Sequence, residues 1–172
     1  DLGRSRGLGD VYKRQNPFCA KAYGPLARLR DGLARNDVEA VPAEVKSLLG
    51  LGIGLTPSAD DVLCGMTYTL LHGARKLTAA DVEFVNAVRR YAPERTNLIS
   101  AAILKAVADG GRFETMDNVL RGLTGAGEGG AQRLLTIGSS SGSEMLLGIT
   151  IAAKLIHGRG QLLSLIHISE PT

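Results

Sequence analysis

The sequence has few cysteines, few aromatic residues and no long apolar run. Its 172 residues include two cysteines and no tryptophan. Two cysteines are too few for a disulfide framework, and neither Cys19 nor Cys64 has metal-ligand spacing. Cys64 lies in an apolar stretch and is expected to be a small buried side chain. Without a recognisable secretory signal or an apolar run of about twenty residues, we expect no membrane span and a reducing, cytoplasmic location.

The two ends of the chain are related to each other through their coding DNA. One set of codons for Arg6–Gln15 has a reverse complement that reads Leu163–Thr172, residue for residue. That DNA also resembles the transposon-end adapter of short-read sequencing libraries. We therefore expect residues 1–15 and 163–172 to be translated adapter, and residues 16–162 to be one helical domain that is truncated at both ends.

Charge gives no indication of a nucleic-acid partner. The sequence has 20 Lys and Arg residues against 17 Asp and Glu residues. Four of the basic and three of the acidic residues lie in the terminal segments, which leaves 16 and 14 between them. This near balance, without a basic run interleaved with aromatic residues, is not that of a nucleic-acid-binding surface.

The chain between the terminal segments is predicted to be mainly α, because it has no convincing alternating strand. Asn16-Pro17 is typical of a helix start and predicts a helix to about Arg35, which Gly24-Pro25 should break or kink. Thr78 is expected to cap a later helix. Further helices are predicted at about 42–49, 57–71, 79–92, 94–111, 114–122, 129–136 and up to 156.

Two stretches share one pattern. Ser58–Thr67 (SADDVLCGMT) and Ser141–Thr150 (SGSEMLLGIT) both read S-[AG]-x-[DE]-x-L-x-G-x-T. Each follows a loop of small residues and opens an apolar helix. Gly65 and Gly148 lie two turns into these helices, where glycine costs about 1 kcal/mol relative to alanine. We expect another backbone to pack against each glycine, so that the two helices cross there and their N-termini meet.

The starts of these helices carry serine and acid side chains. Ser58 with Asp61, and Ser141 with Glu144, have the spacing of capping boxes. Helix N-termini also present unpaired amides, and glycine lets a loop backbone approach a ligand. The same residues are therefore compatible with ordinary caps or with a site for a small amide or carboxylate. The acids, including Asp60, suit a bound cation or a substrate –NH2. The loop has neither the Gly-Lys-Ser/Thr of a phosphate loop nor the spacing of a dinucleotide fingerprint.

Three segments resemble a known family. GLGIGLTPSADDVLCG (50–65) resembles the GxGxGLTPSGDDxLxG signature of the AllH-type subunit of oxamate carbamoyltransferase. IGSSSGSEMLLGI (137–149) resembles its second motif, roughly IGHSSGxDxLxGI, and RTNLISAAILKAVADG (95–110) resembles the helix between them. The likeness covers about residues 48–157. Ala59, Ser139 and Glu144 stand where the family usually has Gly, His and Asp.

The resemblance implies a reaction and partners. Oxamate and carbamoyl phosphate would give oxalurate and phosphate, in the anaerobic use of allantoin nitrogen, by an enzyme that needs other subunits. The family's N-terminal part, expected to be partly β, would be absent here. The implied partners are a small-molecule substrate and other carbamoyltransferase subunits, with no nucleic acid and no membrane. No cofactor is predicted.

The resemblance also assigns residues. Asp60 and Asp61 are the expected catalytic carboxylates, which would orient the acceptor amide or remove its proton. The expected substrate-binding residues are Gly52, Gly54, Thr56, Pro57, Ser58, Ser140, Ser141, Gly142 and Glu144. Loop amides near Gly54 and Gly142 would stabilise the developing oxyanion.

Other interpretations of the same residues remain open. Asp60, Asp61 and Glu144 would also suit Mg²⁺ in a hydrolase or phosphotransferase. The loops would also suit a non-catalytic assembly subunit that docks a catalytic partner. Thr96, Asn97 and Ser100 would either face the substrate or serve as a cap and polar residues of a helix face. His72 and His157 are interpreted as cations at helix C-termini rather than as metal ligands.

Overall fold

A computed structural model describes residues 17–125 and 130–160. Both terminal segments assigned to adapter DNA lie outside the described residues. Within these ranges the chain is mainly α, as predicted, and forms no strand. The helices are α1 (Pro17–Arg35), α2 (Val41–Leu48), α3 (Ser58–Gly73), α4 (Ala79–Arg95), α5 (Leu98–Ala108), α6 (Glu114–Leu123), α7 (Gly130–Leu135) and α8 (Ser141–Gly158). No helix among the described residues is long and apolar enough to span a membrane.

The structure tests two local predictions, the cap of α4 and the break or kink in α1. The capping box at α4 confirms Thr78 as its cap: the Thr78 hydroxyl accepts from Asp81 N at 3.2 Å, and the Asp81 carboxylate accepts from Thr78 N at 2.9 Å. Of the break or kink predicted at Gly24-Pro25, the break does not occur, because α1 is one helix with Pro25 inside it. Ala22 and Leu29 are buried on either side of this proline. Packing against the core on both sides holds α1 together.

α3 is the central helix of the described fold. Every residue from Ser58 to Leu70 is buried. α8 packs along its length, α5 crosses it, and α4 and α6 touch it at further points. α1 and α2 pack with α4, and α7 connects α6 to α8. Because α3 is surrounded on all sides, its polar residues lie where solvent screening is weak.

α3 and α8 cross at their glycines, as predicted. A Cβ atom on Gly65 would lie 2.1 Å from Met145 O, and one on Gly148 would lie 2.0 Å from Val62 O. Each glycine thus faces the backbone three residues before the other glycine. At the C-terminal ends of the two helices, a Cβ on Gly73 would lie 3.8 Å from the Ile156 side chain. Paired positions stay about 83 residues apart along both helices, so α3 and α8 run side by side in the same direction.

Candidate functional site

The parallel arrangement places the starts of α3 and α8 together. α3 begins at Ser58 with Pro57 as its N-cap, and α8 begins at Ser141 with Ser140 as its N-cap. No side chain caps either helix. The capping boxes predicted for Ser58 with Asp61 and for Ser141 with Glu144 are therefore wrong. Both serines already lie within the first turn, one residue too late to accept from the third helical amide.

Loop carbonyls occupy the second amide of each helix. Ala59 N donates to Leu51 O, and Gly142 N donates to Ile137 O, both at 3.0 Å. The Gly142 amide is therefore paired within the protein, and the expectation that loop amides near Gly142 face a substrate stays a prediction for its neighbours. A Cβ on Gly142 would also lie 1.9 Å from Leu134 O. Gly142 is therefore a close-packing position between α8 and α7.

Thr56, Asp61 and Ser141 form a hydrogen-bonded group between the two helix starts. The Thr56 hydroxyl donates to Asp61 Oδ2 at 3.0 Å and lies 2.9 Å from the Ser141 hydroxyl. Either hydroxyl can be the donor in the bond between Thr56 and Ser141, and Ser141 also acts on the Asp61 carboxylate through a hydrogen bond. The polar path therefore leads from α8, through the first loop, to the carboxylate on α3.

The Asp61 carboxylate has an unusual pKa. Burial raises the pKa of Asp61 to about 6, and hydrogen bonds from Ser141 and Thr56 act in the opposite direction. The negative charges of Glu144 and Asp60 raise it further. A carboxylate with a pKa this near neutrality exchanges a proton more readily at physiological pH than an ordinary aspartate.

Asp60 is adjacent in sequence but differs in environment. Its Oδ1 accepts from Gly50 N at 2.8 Å. Its Oδ2 accepts from the Ser100 hydroxyl at 2.6 Å and also from the Thr96 hydroxyl. With 1% of its surface exposed, Asp60 makes these bonds in the interior. It fastens the loop before α3 to the junction of α4 and α5.

Glycines let the first loop fold back over the start of α3. Gly50, Gly52 and Gly54 all have positive φ angles, of 76°, 131° and 113°. A Cβ on Gly50 would lie 2.3 Å from Arg95 O, and one on Gly52 would lie 2.4 Å from Ser58 N. Gly54 is exposed at the loop tip, where a Cβ would find space. Gly50 and Gly52 are thus required for packing, whereas Gly54 is open to a ligand.

The loop before α8 contributes fewer buried polar groups to the site than the loop before α3. The Ser140 hydroxyl donates to Glu144 Oε2 at 3.3 Å, and Ser140 is exposed. Glu144 is partly buried and lies close enough to Asp61 for its charge to act there. No group of three or more His, Cys, Asp or Glu side chains among residues 17–125 and 130–160 is arranged to hold a metal ion.

The structure therefore brings some of the site residues expected from the sequence together and places others away from the site. It brings Thr56, Asp61 and Ser141 into contact and places Glu144 nearby. Ser58 and Pro57 are buried at the helix start. Of the residues left open between two interpretations, Thr96 and Ser100 bind Asp60, and Asn97 caps α5. Sequence reasoning missed Gly50, whose only local signal is the alternating glycine pattern of the loop.

Exposed apolar side chains border this site. Ile53 and Leu55 at the loop tip are 92% and 70% exposed, and Leu98 at the start of α5 is 86% exposed. Asn97 joins the two segments: its side chain accepts from Ser100 N at 3.0 Å, which caps α5, and donates to Leu55 O at 3.0 Å. Large apolar residues gathered at such exposure are typical of a contact surface.

The comparison with known families agrees with these motifs. No solved protein structure matches the chain closely enough to count as a relative. The family described as oxamate carbamoyltransferase subunit AllH matches residues 48–153. This match spans more than half of the chain and includes both loop–helix starts and α5. The chain belongs to the AllH family of oxamate carbamoyltransferase subunits.

Proposed function

We propose that the chain is a carbamoyltransferase subunit that binds a small amide or carboxylate between the starts of α3 and α8. The proposed reaction converts oxamate and carbamoyl phosphate into oxalurate and phosphate. The hydrogen-bonded group of Thr56, Asp61 and Ser141 carries this proposal. The carboxylate can accept from a substrate –NH2, and a hydroxyl beside it can donate to the carbonyl oxygen of the substrate. The match to a family of oxamate carbamoyltransferase subunits supports the reaction class.

Carbamoyl transfer needs orientation and one proton acceptor. The amide nitrogen attacks the carbamoyl carbon, the bond from that carbon to the phosphate oxygen breaks, and the nitrogen loses a proton. Asp61 accepts that proton, since its pKa of about 6 suits a base at neutral pH. Ser141 and the exposed backbone near Gly54 donate to the carbamoyl oxygen as its charge develops.

Asp60 has a different part in this proposal. Its carboxylate already accepts from three protein donors, so it is a positioning residue that holds the loop over the site. Gly52, Pro57 and Ser58 shape the same loop and helix start, and Gly142 sets the distance between α8 and α7. Thr56, Ser141 and Glu144, with Ser140 at the rim, line the substrate space.

The charges at the site favour a shared active centre. The charged neighbours that act on Asp61 are both negative, Glu144 and Asp60. Carbamoyl phosphate is an anion and needs a positive group. We propose that another subunit supplies it, with Ile53, Leu55 and Leu98 as the contact surface. Apolar side chains surrounded by polar groups are common at such interfaces.

That contact surface also supports a second candidate, a non-catalytic assembly subunit whose loops dock a catalytic partner. Leu98→Asp should then abolish assembly, while Asp61→Asn leaves turnover of the assembled enzyme intact. The Mg²⁺-dependent alternative requires Asp60, Asp61 and Glu144 around one ion, whereas Asp60 is saturated with protein donors. Calorimetry with Mg²⁺ alone tests it, because that alternative expects binding without substrate.

The main proposal is tested in the complete enzyme, assembled with its native partner subunits. Asp61→Asn should lower the rate of phosphate release from carbamoyl phosphate and oxamate by about 10²- to 10⁴-fold. Gel filtration should show unchanged assembly. Asp31→Asn, at an exposed aspartate on α1, is the matched control and should retain the full rate. Full turnover by Asp61→Asn would overturn the proposed role.

A further inference from the structure

The loop before α3 runs beside the segment that joins α4 to α5. At one end of this contact, a Cβ on Gly50 would lie 2.3 Å from Arg95 O. At the other end, the Asn97 side chain donates to Leu55 O at 3.0 Å. The backbone of Arg95 is therefore held against the loop that leads directly to the site residue Thr56.

Arg95 presents an unpaired charge at this position. It is the last residue of α4, and its side chain is exposed. Within the described part of the chain, that side chain has no hydrogen bond or ion pair. The other basic side chains of α2 and α4 have partners, as Lys46 has with the Tyr91 ring at 4.2 Å and Arg90 with Glu83 at 3.9 Å. The Arg95 guanidinium is therefore available to a ligand.

The two ends of oxamate differ in the charge that they need beside them. In the proposed function the –NH2 end contacts Asp61, and Glu144 adds a second negative charge there. Both charges repel the carboxylate end, which therefore points away from the start of α8. The positive group that another subunit supplies is assigned to carbamoyl phosphate. The oxamate carboxylate is a second anion and needs a positive partner of its own.

Arg95 lies on a different side of α3 from α8. Successive residues point about 100° apart around a helix axis. Asp61 accordingly acts with Ser141 at the start of α8, whereas Asp60 accepts from Thr96, the residue that follows Arg95. An acceptor whose carboxylate is turned away from α8 is therefore turned toward the Arg95 side of the loop.

We infer that Arg95 binds the carboxylate of oxamate and thereby selects the acceptor of the reaction. This inference rests on the proposed function. The planar guanidinium matches a carboxylate with two parallel N–H···O bonds, which the ammonium of a lysine does not. With the carboxylate held at Arg95, the amide end of oxamate is directed toward Asp61. One contact thus favours an amide that carries a carboxylate and also orients its nitrogen.

Steady-state kinetics of the complete enzyme, assembled with its native partner subunits, tests this inference. Arg95→Ala should raise the KM for oxamate about 10- to 100-fold and leave the KM for carbamoyl phosphate unchanged. Arg95→Lys keeps the charge but loses the paired geometry, so its KM for oxamate should lie between those of the wild type and Arg95→Ala. Arg35→Ala is the matched control, because Arg35 is also an exposed arginine at the last residue of a helix. It should retain the wild-type kinetics.

A neutral analogue separates the charge of the acceptor from its shape. Oxamide carries a second amide in place of the carboxylate and competes with oxamate for the contacts at Asp61. Its inhibition constant should be the same in the wild type and in Arg95→Ala, because it has no charge for the guanidinium to bind. Gel filtration and thermal unfolding check that each variant folds and assembles.

The outcomes separate this inference from the proposed function. An unchanged KM for oxamate in assembled Arg95→Ala would overturn the inference and leave the proposed function standing, with Arg95 as a cation at a helix C-terminus. Equal losses for oxamate and oxamide, a raised KM for carbamoyl phosphate instead, or lost assembly would also overturn it. In those cases Arg95 would shape the loop, hold the other substrate or contact a subunit. A wild-type enzyme that leaves oxamate unreacted would overturn the proposed function and the inference with it.

Discussion

The two loop–helix units differ in how their loops are held. The first unit comprises residues 50–65 and the second comprises residues 137–149. In both units, the carbonyl of the N-cap residue, Pro57 or Ser140, accepts from the backbone amides three and four residues later in the chain, at N–O distances of 2.9 to 3.3 Å. In the first unit, Asp60 then fastens the loop to α4 and α5. Its counterpart Ser143 is exposed and donates to Ser140 O at 2.6 Å, within its own turn.

Because of this difference, the two units have different structural roles. The helix start of the first unit is buried and tied to the junction of α4 and α5, so it holds Asp61 in a fixed place. The second unit lies at the surface and contributes the Ser141 hydroxyl and two close-packed glycines, Gly142 and Gly148. A fixed position matters for Asp61, because a proton acceptor must lie within hydrogen-bond reach of the proton it removes. One backbone pattern thus serves as a rigid frame in one unit and as a packing surface in the other.

The largest expected effect on stability tests the close crossing of α3 and α8, to which both units contribute a glycine. Gly65→Ala and Gly148→Ala should each lower the free energy of unfolding by about 3 kcal/mol, because each new Cβ meets a backbone oxygen at about 2 Å. Urea denaturation should show similar losses at both positions. Gly158→Ala is the control, since nothing lies within 4 Å of its Cβ. An exposed helical glycine would instead gain up to about 1 kcal/mol on this change. Such a gain at Gly65 or Gly148 would contradict the crossing.

The next largest effect on stability tests the difference between the units, which lies in the residue that holds each loop. Asp60→Ala leaves three donors without their acceptor, one of them buried and two half-buried, and should cost about 2 to 3 kcal/mol of unfolding free energy. Ser143→Ala at the matching exposed position should change it by less than about 0.5 kcal/mol. Hydrogen exchange should show that the Gly50 amide loses protection in Asp60→Ala alone. Equal costs at the two positions would mean that both loops are held equally firmly.

Asp61 gives the first unit a pH dependence. Its folded pKa of about 6 lies above the ordinary value, so the folded chain keeps the proton to higher pH. The stability that this proton contributes is complete at about pH 4 and is lost as the pH rises through about 6. Asp61→Asn removes that loss and should be more stable than the wild type by about 2 kcal/mol at pH 7.

The measurement is urea denaturation of both proteins between pH 4 and pH 8. Ser143→Ala should keep the wild-type pH profile. A wild-type protein whose stability rises between pH 4 and pH 6 relative to Asp61→Asn would show that the carboxylate is stabilised as an anion, in contradiction to its burial.

How much of the structure the sequence predicts depends on how far apart the interacting residues lie along the chain. The helices, the Thr78 cap and the crossing at Gly65 and Gly148 follow from local periodicity, cap chemistry and the cost of a helical glycine. The capping boxes failed because their spacing fits a start one residue away from the observed one. The side-chain bonds to Asp60 and the contact between Thr56 and Ser141 join segments far apart in the chain, and no local pattern records which side chains will meet across a core.

The smallest effect concerns the other ends of the same two helices. His72 near the end of α3 is half-buried: its ring centroid lies 4.5 Å from that of Tyr68, and its Nε2 lies 3.3 Å from Gly111 O. Burial and the nearby Arg112 charge lower the pKa of His72. The sequence-based interpretation of His72 as a helix-end cation is therefore wrong, because this environment favours the neutral ring. His157 at the end of α8 is exposed.

A lowered folded pKa means that the unfolded chain takes up the proton first, so stability is present above about pH 6.5 and is lost as the pH falls. At pH 8, His72→Gln should cost about 1 kcal/mol through the lost ring contact. The gap between this variant and the wild type should narrow in acid, since only the wild type pays for protonating a buried ring. His157→Gln, at an exposed residue near the end of α8, is the matched control for the lost ring contact at pH 8. A gap that widens in acid would mean that His72 binds its proton more readily in the folded state, in contradiction to its burial.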